Sequence, residues 1–485
     1  QLSPAEELAG FHLPTGFVAE LIAAEPAIAK PLNMAFDSDG ALWITDTTEY
    51  PYPVPAGEAA HDSIKVLRDK DHNGSFESVT TFADGLNIPI GILPVDDGVI
   101  CFSIPNIMHL RDTDGDGRCD ERKVVLGPFD TSRDTHGMIN AIRRGADGWI
   151  YACHGFNNQS HVKAADASEI HLISGNTFRF RADGSHVEQF THGQVNPFGM
   201  TSDEWGNWFT ADCHSKPVTL LVRGGFYESF GRPHDGLGFV PSVMDHLHGS
   251  TAICGINYYL ANQFPADFQK KFYSGNVMTS RINCNRLEVD RNRIRLVEEP
   301  DFMTSDDPWF RPVDIRLGPD GALYVADFYN KIIGLYEVRL DHPERDRTSG
   351  RIWRISYRGD GTAQKQAAPP APSVAAGATT GAQSAVIVGH PTNDVPAADL
   401  LSAAHIEELG QENATRRHFA LERFNGVALS ADQRAQLTQL TASGSGRSEL
   451  LRISAVWALH RLQLDSDQRL AAVLSDSASP HLLVA

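Results

Sequence analysis

Short stretches of alternating apolar and polar residues, separated by tight turns, run along most of the first 357 residues. In four places an alternating stretch enters a turn with Gly at its centre, and a stretch rich in aromatic and β-branched residues leaves it. This pattern predicts a β-hairpin at each place, because Gly or Asn takes the positive φ that such turns need. The four turns are at Asp39-Gly40, Asp147-Gly148, Trp205-Gly206 and Asp320-Gly321.

The spacing of the hairpins predicts the number of repeats. The turn glycines stand at 40, 148, 206 and 321, so the gaps are 108, 58 and 115 residues. These gaps equal two, one and two units of a period near ~55 residues. Weaker copies occur where the period requires them, at Asp97-Gly98 and at Phe272-Tyr273-Ser274-Gly275. Six such units fill the span from 17 to 358, which predicts an all-β fold, a six-bladed β-propeller.

The pattern changes after Tyr357. Residues 359–394 are rich in Ala, Pro, Gly, Ser and Thr, which is typical of an extended linker. Residues 395–485 carry apolar positions at helical spacing, so we expect an α-helical segment of HEAT-like repeats, with a small unrelated bundle as the alternative. Residues 1–16 are a short N-terminal lead-in.

Composition narrows the functional classes. The chain has 61 acidic and 42 basic side chains, a net charge of −19, which argues against nucleic-acid binding. No apolar run reaches the ~18 residues of a membrane span. The chain begins at Gln1 without a leader, so we expect a secreted or periplasmic protein whose signal peptide has been removed.

Six cysteines, an even number, fit an exported protein with disulfides. Cys153 and Cys213 end the second strands of two successive hairpins, so we expect a bridge between them, with buried free thiols as the alternative. No Cys-x-x-Cys-His occurs in the sequence, so we expect no haem in this chain.

Two acidic loops predict structural Ca²⁺ sites. Each places oxygen-bearing side chains at alternating positions with Gly at the sixth, which allows a chain to wrap a hard cation. Neither loop has the Glu that closes an EF-hand, and acidic turns that bind nothing are the alternative. The predicted metal-binding residues are Asp112, Asp114, Asp116, Arg118 and Asp120 in one loop, and Asp69, Asp71, Asn73, Ser75 and Glu77 in the other.

The open ends of the hairpins, opposite the turns, should ring one face of the channel, and ionisable residues collect there. Asp46, Asp212 and Asp327 recur at one position of the repeat, so we expect them to tie strand ends to neighbouring loops. His136 breaks the repeat and is followed by Gly137, which allows close approach. A neutral imidazole there is a candidate general base, with a structural role as the alternative.

Five motifs carry a resemblance to a known family. Residues 17–357 resemble the soluble quinoprotein sugar dehydrogenases and sorbosone dehydrogenases. They are most similar to the membrane-bound dehydrogenase domain of planctomycete and verrucomicrobial bacteria, which often precedes HEAT repeats and a haem-binding domain. The motifs are Asp134-Thr135-His136-Gly137-Met138, His234-Asp235-Gly236-Leu237-Gly238-Phe239, His248-Gly249-Ser250-Thr251-Ala252, Asp307-Pro308-Trp309-Phe310-Arg311-Pro312 and Gly321-Ala322-Leu323-Tyr324-Val325-Ala326-Asp327-Phe328-Tyr329-Asn330.

The resemblance implies an oxidoreductase dependent on pyrroloquinoline quinone (PQQ). It would act on a sugar or alcohol and pass electrons to a cytochrome c or a haem domain. His136 matches the catalytic base, and Arg311 and Asn196 match residues that hold cofactor or substrate. Val195 and Val313 stand where the sugar dehydrogenases have arginines. The implied catalytic residues are His136, Arg311 and Asn196, and the implied cofactor-binding residues are Asn196, Arg311, His154, His214 and His248.

Two other classes of function fit the same sequence. Several histidines near one channel could bind a transition metal in a carbohydrate lyase or hydrolase, and these are His136, His154, His192 and His214. A propeller that binds glycans or proteins without catalysis is the third possibility.

Overall fold

The computed structural model describes residues 1–70, 74, 76–229, 238–250, 252–290, 293–332, 338–359, 401–442 and 446–462. Six antiparallel sheets are arranged around a central channel, so the predicted six-bladed propeller is confirmed. Each blade begins with an inner strand beside the channel, and successive strands lie further out.

The first three blades have four strands each. Blade 1 comprises Lys30–Phe36, Leu42–Thr47, Asp62–Arg68 and Ser78–Leu86. Blade 2 comprises Ile90–Val95, Gly98–Ser103, Asn106–Arg111 and Glu121–Leu126. Blade 3 comprises Ile139–Arg144, Ile150–His154, Asn176–Phe180 and Val187–Thr191, with a separate hairpin of Gln159–Lys163 and Glu169–Ile173 inserted before its third strand.

The last three blades are less regular. The described part of blade 4 has three strands, Asn196–Ser202, Trp208–Cys213 and Val218–Leu221. Blade 5 comprises Ile253–Tyr258, Lys271–Asn276, Arg281–Asp290 and Arg293–Ser305, and the short strand Phe11–His12 joins its outer edge. Blade 6 comprises Pro312–Leu317, Leu323–Asp327 and Arg351–Tyr357.

The N-terminal part of the chain closes the ring. Phe17–Ala24 supplies the outer strand of blade 6, with Phe17 paired to Tyr357. The helix Pro4–Ala9 comes before it. Because Phe11–His12 pairs with the outer strand of blade 5, part of the predicted lead-in, residues 1–16, belongs to the propeller.

One predicted turn is misplaced. Gly275 does not form the turn of blade 5 but lies inside its second strand, paired with Cys254. The turn occupies residues 259–270 and contains the 3₁₀ helix Ala266–Phe268. A Cβ at position 275 would lie 1.9 Å from the Pro312 carbonyl oxygen, so close contact with blade 6 explains this glycine.

The inner strands approach one another closely. Each has a bulge in its pairing with the second strand of its blade. Gly255 lies at one bulge with φ +55°, and a Cβ there would be 2.6 Å from the Asp314 Cα. Side chains also join neighbouring inner strands: Asn33 Oδ1 accepts from Gly91 N at 2.7 Å, and Asp314 Oδ2 accepts from Met34 N at 2.9 Å.

The predicted Cys153–Cys213 bridge is absent, and all six cysteines are free thiols. The two residues lie on the same face of successive blades, so their side chains point in the same direction around the ring. Cys153 packs against Met200 and Trp208 of blade 4. Cys213 faces blade 5, where its neighbouring thiol is Cys254.

Among the residues described after the propeller there are four helices: Ala403–Leu409, Ala414–Glu422, Ala431–Leu440 and Glu449–Arg461. They share a core that includes Leu409, Leu437 and Leu459. The last helix contacts hairpin turns of the propeller, since Arg461 donates to the carbonyls of Gly145 and Ala146 at 2.8 Å each. Most of the predicted linker lies outside the described residues. In the described part of the chain, no helix is both long and apolar enough to cross a membrane.

Candidate active site

An imidazole and a buried carboxylate form a pair in the loop that enters blade 3. His136 Nδ1 is 2.7 Å from Asp134 Oδ1, and 23% of the His136 side chain is exposed against 5% of Asp134. The same carboxylate oxygen accepts the His136 backbone N–H at 2.7 Å. A carboxylate at this distance favours a proton on Nδ1, and a neutral ring in that form has its lone pair on Nε2. An imidazole in this setting is a candidate general base.

Loops of blades 1 and 3 hold the loop that carries His136. Asn158 of blade 3 donates to the Asp134 carbonyl at 2.6 Å and accepts the Asp134 N–H at 3.0 Å. Tyr50, in a loop of blade 1, donates its hydroxyl to the His136 carbonyl at 2.9 Å. The Thr135 hydroxyl donates to the Pro51 carbonyl at 2.6 Å. The imidazole is therefore positioned by loops of blades 1 and 3.

Asn196 lies beneath this loop. Its Oδ1 accepts the Phe156 N–H at 3.1 Å, and a Cβ on Gly137 would lie 2.5 Å from that oxygen. A Cβ on Gly155 would lie 1.3 Å from the Gly137 carbonyl oxygen. The glycine after His136 is thus required by close packing against Asn196, which supports the loop that carries the base.

A cavity of about 660 Å³ adjoins blade 4. His214 lines it and lies near His136; burial and the charge of His136 lower the pKa of His214. The Phe239 and Leu247 side chains, 41% and 45% exposed, give the cavity an apolar wall, and Lys216 adds a charge. A cavity of this size with both polar and apolar walls suits a small organic ligand.

His154 lies deeper than the sequence implied. Its Nδ1 is 2.7 Å from the Ser174 carbonyl oxygen and its Nε2 is 2.8 Å from the Ser160 hydroxyl. Burial lowers the pKa of His154 to about 4, so the ring is neutral at pH 7. With both nitrogens bonded within the protein, His154 supports the loops of blade 3, and its implied part in cofactor binding stays a prediction.

Arg311 is also engaged within the protein. Its guanidinium donates to the carbonyls of Asn330 at 2.9 Å, Val277 at 2.7 Å and Lys331 at 3.2 Å, and to the Ser280 hydroxyl at 3.1 Å. A guanidinium has five N–H donors, so these bonds leave little capacity for an anion. The contacts favour a structural role in joining loops of blades 5 and 6.

The recurring aspartates behave as expected. Asp46 accepts the Ala29 N–H at 2.8 Å, Asp212 accepts the Asn196 N–H at 2.7 Å, and Asp327 accepts the Arg311 N–H at 2.8 Å. Each carboxylate at the end of a second strand thus fixes the start of the inner strand in the same blade, so the predicted structural role is confirmed.

Two other histidines lie away from the pair. The ring of His192 stacks on Phe226 with centroids 4.5 Å apart. His248 is near His246 and Glu298 in blade 5. Among the described residues, no group close enough to hold a metal combines His136, His154, His192 and His214. The metal centre predicted from these four is therefore not assembled.

The first acidic loop brings part of its predicted ligand set together. Asp112, Asp114 and Asp116 have carboxylate oxygens within 4.8 Å of one another. Asp120 instead accepts from the Thr113 hydroxyl at 2.8 Å, and the Arg118 N–H donates to Asp116 at 2.8 Å. Calcium binding here stays a prediction.

In the second acidic loop, Asp69 accepts the Gly74 N–H at 2.7 Å and Glu77 accepts the Lys70 N–H at 2.8 Å. The other predicted ligands, Asp71, Asn73 and Ser75, lie outside the described residues.

Sequence reasoning missed two residues that position the base. Asp134 stands two residues before His136, and that spacing was an available signal because an Asx side chain commonly bonds the backbone two residues on. Asn158 had no such signal, since its contact with Asp134 depends on how two loops of blade 3 fold.

Comparisons with known proteins give a family and several solved structures of low similarity. A family profile described as a domain of unknown function, DUF7133, matches residues 3–359. No curated protein matches the sequence. A solved oxidoreductase described as a glucose dehydrogenase, from Thermus thermophilus, is 19% identical with a TM-score of 0.47, and the match covers 70% of this chain and 100% of that one. The PQQ-bound aldose sugar dehydrogenase from Streptomyces coelicolor is 15% identical with a TM-score of 0.44, covering 71% and 99%.

Proposed function

We propose that this chain, which belongs to the DUF7133 family, is a dehydrogenase that oxidises a hydroxyl group of a sugar or a related alcohol. The observation that carries the proposal is the Asp134–His136 pair, with Nδ1 and the carboxylate oxygen 2.7 Å apart and the ring partly exposed. The resemblance of the surrounding motif to sugar dehydrogenases supports the same activity.

His136 would remove the hydroxyl proton. Its Nε2 takes the proton as the substrate is oxidised, and Asp134 stabilises the imidazolium that forms. The adjoining cavity gives a sugar polar partners and an apolar wall. Ser215, Lys216 and Glu228 supply the polar groups, and Phe239 supplies an aromatic face.

Oxidation also removes a hydride from the substrate, and PQQ is the acceptor that the resemblance implies. PQQ carries three carboxylates, which cationic side chains normally bind. Here Val195 is buried, Val313 packs against apolar residues, and Arg311 bonds four acceptors of the protein itself. The residues at these positions do not fit that mode of binding. We therefore assign only the proton transfer to this chain's side chains.

Export and electron transfer to a cytochrome c or a haem domain are also part of the proposal, and the resemblance alone supports them. Fractionation of cells that express the natural gene tests export, because the protein should appear in the periplasm or the medium. Oxidation of substrate with a c-type cytochrome as the sole acceptor tests the partner.

The activity itself is tested by dye reduction. Purified protein is incubated with PQQ and Ca²⁺, then mixed with a redox dye and a panel of aldoses, polyols and primary alcohols. We expect dye reduction that depends on one class of substrate. If no substrate reduces the dye, with or without PQQ, the dehydrogenase proposal fails. Appearance of an unsaturated sugar in the same mixtures would instead support a lyase.

A further inference from the structure

Two histidines and a glutamate converge at the edge of blade 5, away from the Asp134–His136 pair. His246 and His248 lie in the segment that leads into this blade, and Glu298 lies on its fourth strand. One ligand atom of each lies within 4.8 Å of the others. The two imidazole rings are nearly perpendicular, at 84°, with centroids 4.7 Å apart.

Asn285 orients both rings. It lies on the third strand, paired with Glu298, and is fully buried. Its Oδ1 is 2.7 Å from His246 Nε2 and 3.0 Å from His248 Nε2. An amide oxygen accepts hydrogen bonds, so each neutral ring carries its proton on Nε2 and its lone pair on Nδ1. A backbone or side-chain acceptor that fixes one ring nitrogen in this way is the usual support of a metal-ligating histidine.

The remaining nitrogen of His248 faces a carboxylate. His248 Nδ1 is 3.2 Å from Glu298 Oε1, and 1% of the histidine side chain is exposed against 54% of the glutamate. A lone pair and a carboxylate oxygen both attract a cation. The space between them therefore suits a positive charge, and the exposed glutamate gives that charge a path from solvent.

We propose that His246, His248 and Glu298 form a binding site for a divalent transition metal of the zinc class. Imidazole nitrogens with one carboxylate are a preferred donor set for Zn²⁺, and three protein ligands leave a fourth position for water.

The site would fix one wall of the cavity. Leu247 stands between the two histidines, and its exposed side chain lines the cavity that His214 also lines. The Asn276 side chain donates to the His248 carbonyl at 3.4 Å, and the Leu296 N–H donates to the Val243 carbonyl at 2.7 Å. A bound metal would add a further attachment between this segment and the strands of blade 5.

Zinc titration of the full chain tests the site. Chelator-treated protein is titrated with Zn²⁺ by calorimetry in excess Ca²⁺, which occupies the hard-cation loops. The matched control is the His161→Ala, His171→Ala variant, because these histidines form an exposed group with Glu169 on the inserted hairpin. We expect one Zn²⁺ per chain in the control variant and none when His246→Ala and His248→Ala are added to that variant.

Glu298→Gln keeps the proposal testable if the double variant does not fold, since this side chain is half exposed. We expect zinc affinity to fall by about tenfold or more, a loss at least as large as that from altering an outer-shell partner. We also expect zinc to slow hydrogen exchange around Leu247. Unchanged binding in the His246→Ala, His248→Ala or Glu298→Gln protein would overturn the site, as would zinc held only by the hairpin histidines. Both results are independent of dehydrogenase activity.

Discussion

At the scale of single residues, the position of one proton decides what His136 can do. A ring with its proton on Nδ1 has its basic nitrogen at Nε2, and the Asp134 carboxylate, 2.7 Å from Nδ1, favours that tautomer. His154, in the same blade, has both nitrogens bonded within the protein. The two histidines differ in their partners, because His154 contacts a carbonyl and a hydroxyl whereas His136 faces a carboxylate.

Asp134→Asn should impair catalysis much more than folding. The amide can present its NH₂ to Nδ1 and so favour the wrong tautomer, for which we expect kcat to fall on the order of 10²–10⁴-fold. The change in Tm should be small, because the contacts of Asn158 are with the backbone of residue 134. Asp130→Asn is the matched control, since Asp130 lies in the same loop and bonds Ser132 and Gln159 instead. Equal rates in the two variants would remove Asp134 from the mechanism.

His154→Asn should alter how stability depends on pH. The unfolded histidine titrates near 6.5 and the folded one near 4, so between these values the unfolded chain binds the proton more readily. The contribution of His154 to the free energy of unfolding is full above pH 6.5 and decreases toward pH 4, by roughly 3 kcal/mol in total. Urea unfolding at pH 7 and pH 4.5 should show a smaller difference between wild type and variant at the lower pH. A difference that does not change with pH would contradict the buried neutral state.

The sequence identified His136 because it interrupts a repeat and precedes a glycine. It did not identify the partners of Arg311, which are three carbonyls and a hydroxyl of loops in blades 5 and 6. Every residue has a backbone carbonyl, so the sequence does not show which carbonyls bind an arginine. An arginine bound to carbonyls therefore cannot be distinguished in the sequence from one that binds an anion.

At the scale of elements, the hairpins were predictable and their contacts were not. The turn glycines located the blades because alternation and positive φ are local properties. The prediction of a Cys153–Cys213 bridge was wrong. The sequence does not show which neighbouring blade each strand face meets, and the two thiols face different blades. The turn of blade 5 was predicted at the wrong position, because Gly275 is required by close contact with blade 6 and not by a turn.

Gly255→Ala should destabilise the propeller through the inner strands. The left-handed backbone alone costs a residue with a Cβ roughly 1–2 kcal/mol. The new Cβ would also lie 2.6 Å from the Asp314 Cα, and such overpacking costs about 1–3 kcal/mol more. Gly224→Ala is the control, because Gly224 has φ +75° with open space around it. Denaturant unfolding should show the larger loss for Gly255→Ala; equal losses would mean that the inner strands adjust at no cost.

At the scale of the whole molecule, the two faces of the propeller have different roles. The face with the hairpin turns contacts the C-terminal helices, as Trp205 with Ile453 and Val456 illustrates. The opposite face, where second strands end, carries His136. The described helices thus contact the propeller on the face opposite the candidate active site.

Arg461→Ala should weaken the attachment of the helices. The guanidinium, 1% exposed, bonds two carbonyls of a blade 3 turn and the Glu422 carboxylate at 2.9 Å. Its removal takes one buried cationic partner from Glu422, and we expect the free energy of unfolding to decrease by about 3 kcal/mol. Hydrogen exchange in Glu449–Arg461 should become faster while the blade strands change little. Arg447→Ala is the control because Arg447 is exposed; similar exchange in both variants would contradict this anchoring role.

The central claim is that the His136 imidazole is the base that removes a substrate proton, and chemical rescue tests it most directly. His136→Ala leaves a space beside Asp134, and added imidazole can supply the missing base. With the substrate that gives dye reduction, we expect kcat of the variant to fall on the order of 10²–10⁴-fold and to rise again with imidazole concentration. A wild-type rate in His136→Ala, or a lost rate that imidazole does not restore in a variant that still binds substrate, would contradict the claim.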